Sequence, residues 1–300
     1  MPLDPQVEAY LAKTPPRPSS VDERRAATRE SRVINVEDLT IPGGDGGIPI
    51  RLYIPPGPRP LPVLVYFHGG GWVTGDLDVT DSFCRIVAEW TPCIVVSVNY
   101  RHAPEYPFPA AIDDAFDATK WVAENIASRQ GDASRIGVSG ASAGGNLAAA
   151  VALRARDEGG PDLVLQYLIY PVIDSAMGSE SYVENAEGLG LTRDAMHWYW
   201  EVYVPNLEHR EHPYASPAHT KDFAGLPPAY IQTAEFDPLR DEGEAYAASL
   251  EKNGVPVTLK RYDGLIHGFM SNHNEFDAAK LALIETAAQL RVMFSANQEK

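Results

Sequence analysis

The chain has 300 residues, 44% of them apolar, which is enough material for one large hydrophobic core. Its formal charge of −16 argues against nucleic acid as a partner, because phosphate backbones are bound through Lys and Arg. No apolar run approaches the roughly 18 residues that span a bilayer, and the N-terminus lacks the pattern of a signal peptide. With only two cysteines, Cys84 and Cys93, we expect no disulfide framework and a location in the reducing cytoplasm.

Strand-like and helix-like patterns alternate along most of the chain. The first two predicted strands, Val33–Leu39 and Ile48–Ile54, are joined by a glycine-rich turn and are expected to pair antiparallel. The nearly all-apolar run Val63–Phe67 is typical of a strand buried on both faces of a parallel sheet. The remaining predicted strands are Cys93–Val98, Arg135–Ser139, Leu163–Tyr170, Ala229–Ala234 and Val257–Tyr262.

Helices are predicted between these strands, so the chain should form an α/β fold with a mostly parallel, doubly wound sheet and helices on both faces. The predicted helices are Val79–Trp90, Pro109–Ile126, Ser142–Arg156, Asp241–Asn253 and Phe276–Phe294. In the last of them, apolar residues recur at helical spacing, at Leu281, Ile284, Ala288 and Val292.

One stretch, residues 175–215, interrupts the alternation and is too long for a simple loop. It contains the aromatic, helix-prone segment Met196–Tyr203. Insertions at the carboxyl end of a strand lie over the active site of α/β enzymes. We therefore predict a helical cap made of residues 1–30 and 175–215, above a catalytic domain made of residues 31–174 and 216–300. The alternative is that Met196–Tyr203 is an ordinary packing helix.

A serine lies in a glycine-flanked turn between a predicted strand and a predicted helix. Residues 140–144 read GASAG, which matches the G-x-S-x-G pattern. A tight strand-to-helix turn projects the hydroxyl above the sheet, and the glycines remove side chains that would collide with the turn. The helix also directs its N-terminal amides toward the negative charge that develops there. We predict that Ser142 is a nucleophile; a purely structural turn is the alternative.

A second glycine-rich turn, His68–Trp72, follows the predicted strand Val63–Phe67. Glycine lets backbone amides approach a substrate closely, as an oxyanion hole requires. We predict that the amides of Gly69, Gly70 and Ala143 stabilise an oxyanion. His68 is expected to hold this turn rather than act as a base, because it precedes the serine in the chain.

A nucleophilic serine needs a histidine base and a carboxylate that orients the histidine. In α/β hydrolases the acid and then the base follow the serine in the chain. Asp237 and His267 each follow one of the last two predicted strands, so both are expected in the crevice at the carboxyl ends of those strands. Asp237 is preferred to Glu235 and Asp241 because it lies in the turn, with helix capping as its alternative role.

Together these motifs resemble those of the hormone-sensitive-lipase family of bacterial-type carboxylesterases, over most of the chain from about residue 33. The resemblance is carried by His68–Trp72, Asn99–Glu105, Pro107–Asp114, Gly140–Leu147, Leu226–Tyr246 and His267–Phe269. It implies an α/β-hydrolase fold with an eight-stranded sheet, a helical cap, and hydrolysis of short-acyl esters without a cofactor. Many relatives dimerise through an edge strand, which here would be Val257–Tyr262. Ala141 stands where the family often has Asp or Thr, which puts hydrogen bonding around the oxyanion loop in question.

We therefore predict a serine carboxylesterase that hydrolyses small-molecule esters with short to medium acyl chains through an acyl-enzyme. Aromatic residues near the motifs suggest an apolar acyl pocket. The residues predicted to line it are Trp72, Trp198, Tyr199, Trp200, Tyr203 and Phe269. No metal is expected, because His209 and His212 have no third ligand at a suitable spacing. The alternatives are an amidase or deacetylase with the same triad, and a non-catalytic ligand-binding protein of the same fold.

Overall fold

The computed structural model describes residues 34–296, together with Leu3, Pro5 and Glu8, so the predicted cap segment 1–30 lies almost wholly outside the described residues. Eight strands form one sheet in the order β1-β2-β4-β3-β5-β6-β7-β8. β2 is antiparallel to β1 and β4, and all other pairs are parallel. The predicted mostly parallel sheet with an antiparallel entry is confirmed. Strands β1 to β8 are Asn35–Ile41, Ile48–Ile54, Leu61–Phe67, Ile94–Val98, Gly131–Ala141, Leu163–Ile169, Ala229–Phe236 and Val257–Ile266.

Seven α-helices are found among the described residues 34–296, and the five predicted from the sequence lie within two residues of their expected bounds. Helices α2, α3 and α6 pack on one face of the sheet, and α1 and α7 pack on the other. Strands β3 and β4 are therefore buried along their whole length, as their apolar sequences indicate. Helices α1 to α7 are Asp81–Trp90, Ala110–Asn125, Ala143–Asp157, Ser181–Glu184, Arg193–Tyr203, Arg240–Lys252 and Asp277–Ser295.

Helix α7 turns a different face to the core from the one its clearest apolar spacing suggests. Leu281, Ile284 and Val292 are 61%, 48% and 63% exposed. The buried face also follows helical spacing but mixes small and polar residues with the large ones: Ala279, Ala282, Leu283, Thr286, Ala287, Leu290 and Phe294. The helix is apolar on more than one side, so spacing predicts that it is a helix but not which side is buried.

The insertion between β6 and β7 contains the short helix α4, the longer helix α5 and two 3₁₀ turns, Leu207–His209 and Pro217–His219. Helix α5 coincides with the aromatic segment predicted to be helical. It begins at Thr192, whose side-chain oxygen accepts a hydrogen bond from the Ala195 amide at 3.1 Å. Its buried residues Met196, Trp200 and Tyr203 recur at helical spacing. Within the described part of the chain, no helix combines the length and apolarity needed to cross a membrane.

Candidate active site

Ser142 lies at the junction of β5 and α3 with φ of 57° and ψ of −118°, a backbone conformation that L-residues rarely adopt. Its amide donates to the Ile169 carbonyl at 2.9 Å, and its carbonyl accepts from the Val172 amide at 3.2 Å. A Cβ at Gly144 would collide with the Phe67 carbonyl, and one at Gly140 would collide with the Gly144 carbonyl. Both flanking glycines are therefore required by neighbouring backbone.

His267 joins Ser142 to Asp237 in one hydrogen-bonded chain. Its Nε2 is 3.0 Å from the Ser142 Oγ, and its Nδ1 is 2.7 Å from the Asp237 Oδ2. Asp237 is fully buried, and its Oδ1 accepts from the Leu239 amide at 2.9 Å. A carboxylate facing Nδ1 favours the tautomer with its proton on that nitrogen, which leaves Nε2 free to accept the serine proton. The structure thus brings together the three side chains predicted as nucleophile, acid and base.

The glycine-rich turn after β3 lies directly against the serine turn. A Cβ at Gly69 would be 3.0 Å from the Ala141 carbonyl and 3.6 Å from the Ser142 Cβ, so these backbones are in contact. Gly70 has φ of +122°, and any side chain there would collide with the Thr74 carbonyl. The Ala141 methyl packs among apolar side chains and offers the turn no hydrogen bond. The predicted amide donors Gly69, Gly70 and Ala143 accordingly belong to one compact region.

His68 orients the peptide between Gly69 and Gly70. Its Nδ1 is 2.8 Å from the Gly69 carbonyl oxygen, so a proton on Nδ1 donates to it. Carbonyl and amide of one peptide point in opposite directions, so this bond directs the Gly70 N–H away from His68. The imidazole is fully buried, and burial lowers its pKa to about 4. Tyr100 stacks on the ring at 4.3 Å and donates its hydroxyl to the His68 carbonyl at 2.8 Å.

The turn that carries Asp237 is held by the insertion, through a contact that sequence reasoning missed. The Ser181 amide donates to Asp241 Oδ2 at 2.8 Å, and the Asp241 amide donates to the Ser181 Oγ at 3.3 Å. The Ser181 hydroxyl also donates to the Pro238 carbonyl at 2.6 Å, and Asn185 donates to the Asp237 carbonyl at 3.3 Å. Ser181 therefore caps the start of α6 from a distant part of the chain.

Two further buried groups support the site. Tyr170 follows β6 with φ of +34°, and its ring lies 4.7 Å from that of His267 between centroids. Glu242 accepts from the Ile173 amide at 2.7 Å, and burial raises the pKa of its carboxyl well above the usual value. Neither has a motif that distinguishes it in the sequence. Among the residues the structure describes, no three His, Cys, Asp or Glu side chains are grouped to ligate a metal ion.

The aromatic residues predicted to line an acyl pocket lie at different depths. Trp72, Trp200, Tyr203 and Phe269 are completely buried, so they have no surface for a substrate in this conformation. Trp72 stacks on Tyr203 at 4.2 Å and packs against Trp200 at 5.0 Å. Trp198 is 50% exposed, and Tyr199 is partly buried beside it. Trp72 thus packs α5 onto the rest of the chain through Trp200 and Tyr203, whereas Phe269 packs against Tyr170 and Tyr262.

Comparison with known proteins agrees with this geometry. A family model described as alpha/beta hydrolase fold matches residues 64–271. Carboxylesterase NlhH of Mycobacterium tuberculosis is 47% identical over 244 residues, covering 79% of this chain and 76% of the relative. Ethyl acetate hydrolase of Pseudomonas putida is 33% identical over 317 residues, covering 97% of this chain and 99% of the relative.

A solved structure extends the likeness to the backbone. A thermostable esterase from Pseudomonas putida ECU1011 superposes with a TM-score of 0.90 at 36% identity, covering 98% of both chains. The chain therefore belongs to the α/β-hydrolase-fold family, with the hormone-sensitive-lipase-type esterases, and it is a carboxylic-ester hydrolase.

Proposed function

We propose that this enzyme hydrolyses esters through an acyl-enzyme on Ser142, with His267 as base and Asp237 as the acid that orients it. The Ser142 Oγ attacks the ester carbonyl carbon while His267 Nε2 takes the hydroxyl proton. Collapse of the tetrahedral intermediate breaks the carbon–oxygen bond to the alcohol, which leaves with the proton from His267. Water then attacks the acyl carbonyl, with His267 again as base, and releases the carboxylic acid.

The observation that carries this proposal is the pair of short contacts at His267, 3.0 Å to Ser142 Oγ and 2.7 Å to Asp237 Oδ2. Amides of Gly69, Gly70 and Ala143 would stabilise the oxyanion, which is often the largest single contribution to such catalysis.

The test is covalent labelling with an organophosphate, followed by peptide mass spectrometry. One phosphoryl group should appear on Ser142, and Ser142→Ala should lower kcat by roughly 10⁴-fold or more, because these side chains act as a unit. Labelling at another residue would rule out the assignment of the nucleophile. Matched ester and amide substrates, measured side by side, should show hydrolysis of the ester far ahead of the amide.

We propose short to medium acyl chains as the preferred substrates. Bulky rings fill the space around α5, with Trp72, Trp200 and Tyr203 completely buried, which limits the room for a long chain. The likeness to an ethyl acetate hydrolase supports the same size class. Esters of one alcohol with acyl chains of increasing length should give a maximum in kcat/KM at short to medium length. A steady rise to long-chain emulsions would contradict this.

We also propose a homodimer that forms through the edge strand β8, within which the sequence predicted Val257–Tyr262 as the contact. In the described sheet β8 is an end strand, and Leu259 on it is 41% exposed. Helix α7 flanks the same edge on the face of the sheet opposite to Leu259, where Gln289 bonds Thr258 of β8 at 3.3 Å, and it carries the exposed apolar residues Leu281 and Ile284. Light scattering should give twice the chain mass, and Leu259→Lys with Ile284→Lys should give a monomer. A monomeric wild type would exclude it.

The cytoplasmic location stays a proposal as well. Cys84 and Cys93 are both buried and unpaired, which suits a reducing compartment. Cell fractionation with an activity assay tests this.

A further inference from the structure

Helix α5 rests on the segment that follows the oxyanion glycines. Trp72, the residue after Gly71, is completely buried with φ of 59° and stacks on Tyr203 of α5 at 4.2 Å. The Tyr203 carbonyl accepts from the Phe108 amide at 2.8 Å, which anchors the end of the helix to the catalytic domain. The ring stacking and this hydrogen bond together fix the position of α5 relative to the glycine turn.

Tyr199, one turn before Tyr203 on α5, occupies the space that a side chain at Gly71 would need. A Cβ built at Gly71 would collide with three carbons of the Tyr199 ring. Gly71 has φ of +61°, a conformation that glycine adopts without strain. The collisions of the added Cβ place the Gly71 Cα against the Tyr199 ring. The two preceding positions require glycine for a different cause: a side chain at Gly69 would meet the Ala141 carbonyl, and one at Gly70 would meet the Thr74 carbonyl. Of the three glycines in this turn, Gly71 is therefore the one whose lack of a side chain is required by the insertion.

We propose that Tyr199 is a positioning residue that holds the Gly69–Gly71 turn in its oxyanion-binding conformation, so that the oxyanion hole is complete only while α5 is docked. This inference rests on the proposed function of that turn. His68 holds the Gly69 carbonyl at 2.8 Å, and the Tyr199 ring of the insertion lies against the Cα of Gly71, two residues further along the turn. The Gly70 carbonyl accepts from the Val73 and Thr74 amides at 3.1 and 3.0 Å, which holds the far end of the turn. The Tyr199 ring is the contact on the Gly71 Cα itself, so its removal lets Gly71 and the Gly70 amide before it shift toward the space that the ring leaves. A shift near 1 Å in such a donor is enough to lower the rate by roughly 10²-fold.

The experiment compares an oxoester with its thionoester analogue in Tyr199 variants. Sulfur is larger than oxygen and a poorer hydrogen-bond acceptor, so amide donors accelerate the thionoester far less than the oxoester. Rates are divided by the concentration of serine that an organophosphate titrates, which removes any effect of misfolded enzyme. Tyr199→Ala should lower kcat for the oxoester by roughly 10- to 50-fold and that for the thionoester by less than about 3-fold. Tyr199→Phe keeps the ring and should retain both rates.

His197→Ala, at an exposed position of the same helix, is the matched control and should leave the ratio of the two rates unchanged. Equal losses for both substrates in Tyr199→Ala, or no loss, would overturn the proposal. If Tyr199→Ala gives no titratable enzyme, Tyr199→Leu, which keeps an apolar side chain but no ring, is measured in its place with the same expected direction.

A double-mutant cycle gives an independent check. Gly71→Ala should reduce oxoester turnover strongly in the wild-type background, and much less in the Tyr199→Ala background, because the colliding ring is gone. The cost of placing alanine at positive φ is the same in both backgrounds and cancels. Additive losses would contradict the contact. Wild-type hydrolysis with labelling at Ser142 would uphold the proposed function whatever the Tyr199 variants do, so the two claims fail separately.

Discussion

The two sides of the site are held in different ways. On the proposed acid–base side, Asp237 and His267 are joined by a short polar contact, and Ser181 holds the turn with three further hydrogen bonds. On the proposed oxyanion side, glycines are packed against carbonyls and an aromatic ring, and the side chains of His68 and Tyr100 each form a hydrogen bond to the backbone of the turn. The first side depends on which atoms carry protons, and the second depends on shape. A replacement that conserves shape should therefore damage the first, and one that adds volume should damage the second.

The largest effect is expected from Asp237→Asn, which keeps the shape of the side chain. An amide facing His267 Nδ1 can donate to it and so favour the wrong tautomer, and kcat should fall by roughly 10⁴-fold. Steady-state kinetics on a short-chain ester gives the number. Asp45→Asn, in the exposed β1–β2 turn, is the matched control. A loss below about 10-fold for Asp237→Asn would mean that this side also depends on shape alone.

Gly70→Ala tests the oxyanion side by adding one methyl group. Its Cβ would collide with the Thr74 carbonyl, so the turn must move and the Gly70 amide moves with it. We expect kcat to fall by roughly 10²- to 10³-fold, the usual cost of one oxyanion donor. Gly46→Ala has a similar positive φ of +89° with open space around it, so it isolates the backbone cost. Comparable losses in both variants would point to strain instead of displacement.

The pH dependence of stability tests the buried His68. Its folded pKa of about 4 lies below the ordinary 6.5, so the fold favours the neutral ring. Below pH 6.5 the unfolded chain binds a proton that the folded chain refuses until about pH 4, so this contribution to stability is lost as pH falls through that window. Between pH 7 and pH 4.5, wild type should lose roughly 2–3 kcal/mol more in unfolding free energy than His68→Phe, measured with urea. Equal losses of unfolding free energy in wild type and His68→Phe would mean that His68 does not cause this pH dependence.

The smallest effect is expected from Ser181→Ala, which removes the cap that α6 receives from the insertion. Unfolding free energy should fall by about 1 kcal/mol, as for other helix N-caps, and kcat by a few-fold because the Asp237 turn loosens. Thermal melts and kinetics on the same preparation give both values. Ser249→Ala, on the same helix, loses a bond only to its own helix and should show neither change. If Ser181→Ala has the same stability and kcat as Ser249→Ala, the hydrogen bonds of Ser181 do not hold Asp237 in position.

The strands, the main helices and the meeting of Ser142, Asp237 and His267 could be predicted, because each element and each of these residues leaves a local pattern. An apolar run such as β3, or the GASAG motif at the end of β5, is recognised from a few consecutive residues. The supporting contacts could not be predicted, because Ser181 meets Asp241 and Tyr199 meets Gly71 only through the tertiary fold. The aromatic residues were ambiguous for a related reason. Rings suit a pocket and a core equally, and the docking of α5 on Trp72 decides that Trp200 and Tyr203 are buried.

The backbone of Ser142, at φ of 57° and ψ of −118°, suits glycine better than any residue with a side chain. The strained backbone at Ser142 therefore lowers the stability of the wild type, and the same conformation places the serine hydroxyl above the sheet. Ser142→Gly should melt at a higher temperature than the active enzyme, by an amount equivalent to roughly 1 kcal/mol, while hydrolysing nothing. Selection for heat resistance alone, without selection for turnover, would then favour an inactive variant with glycine in place of Ser142.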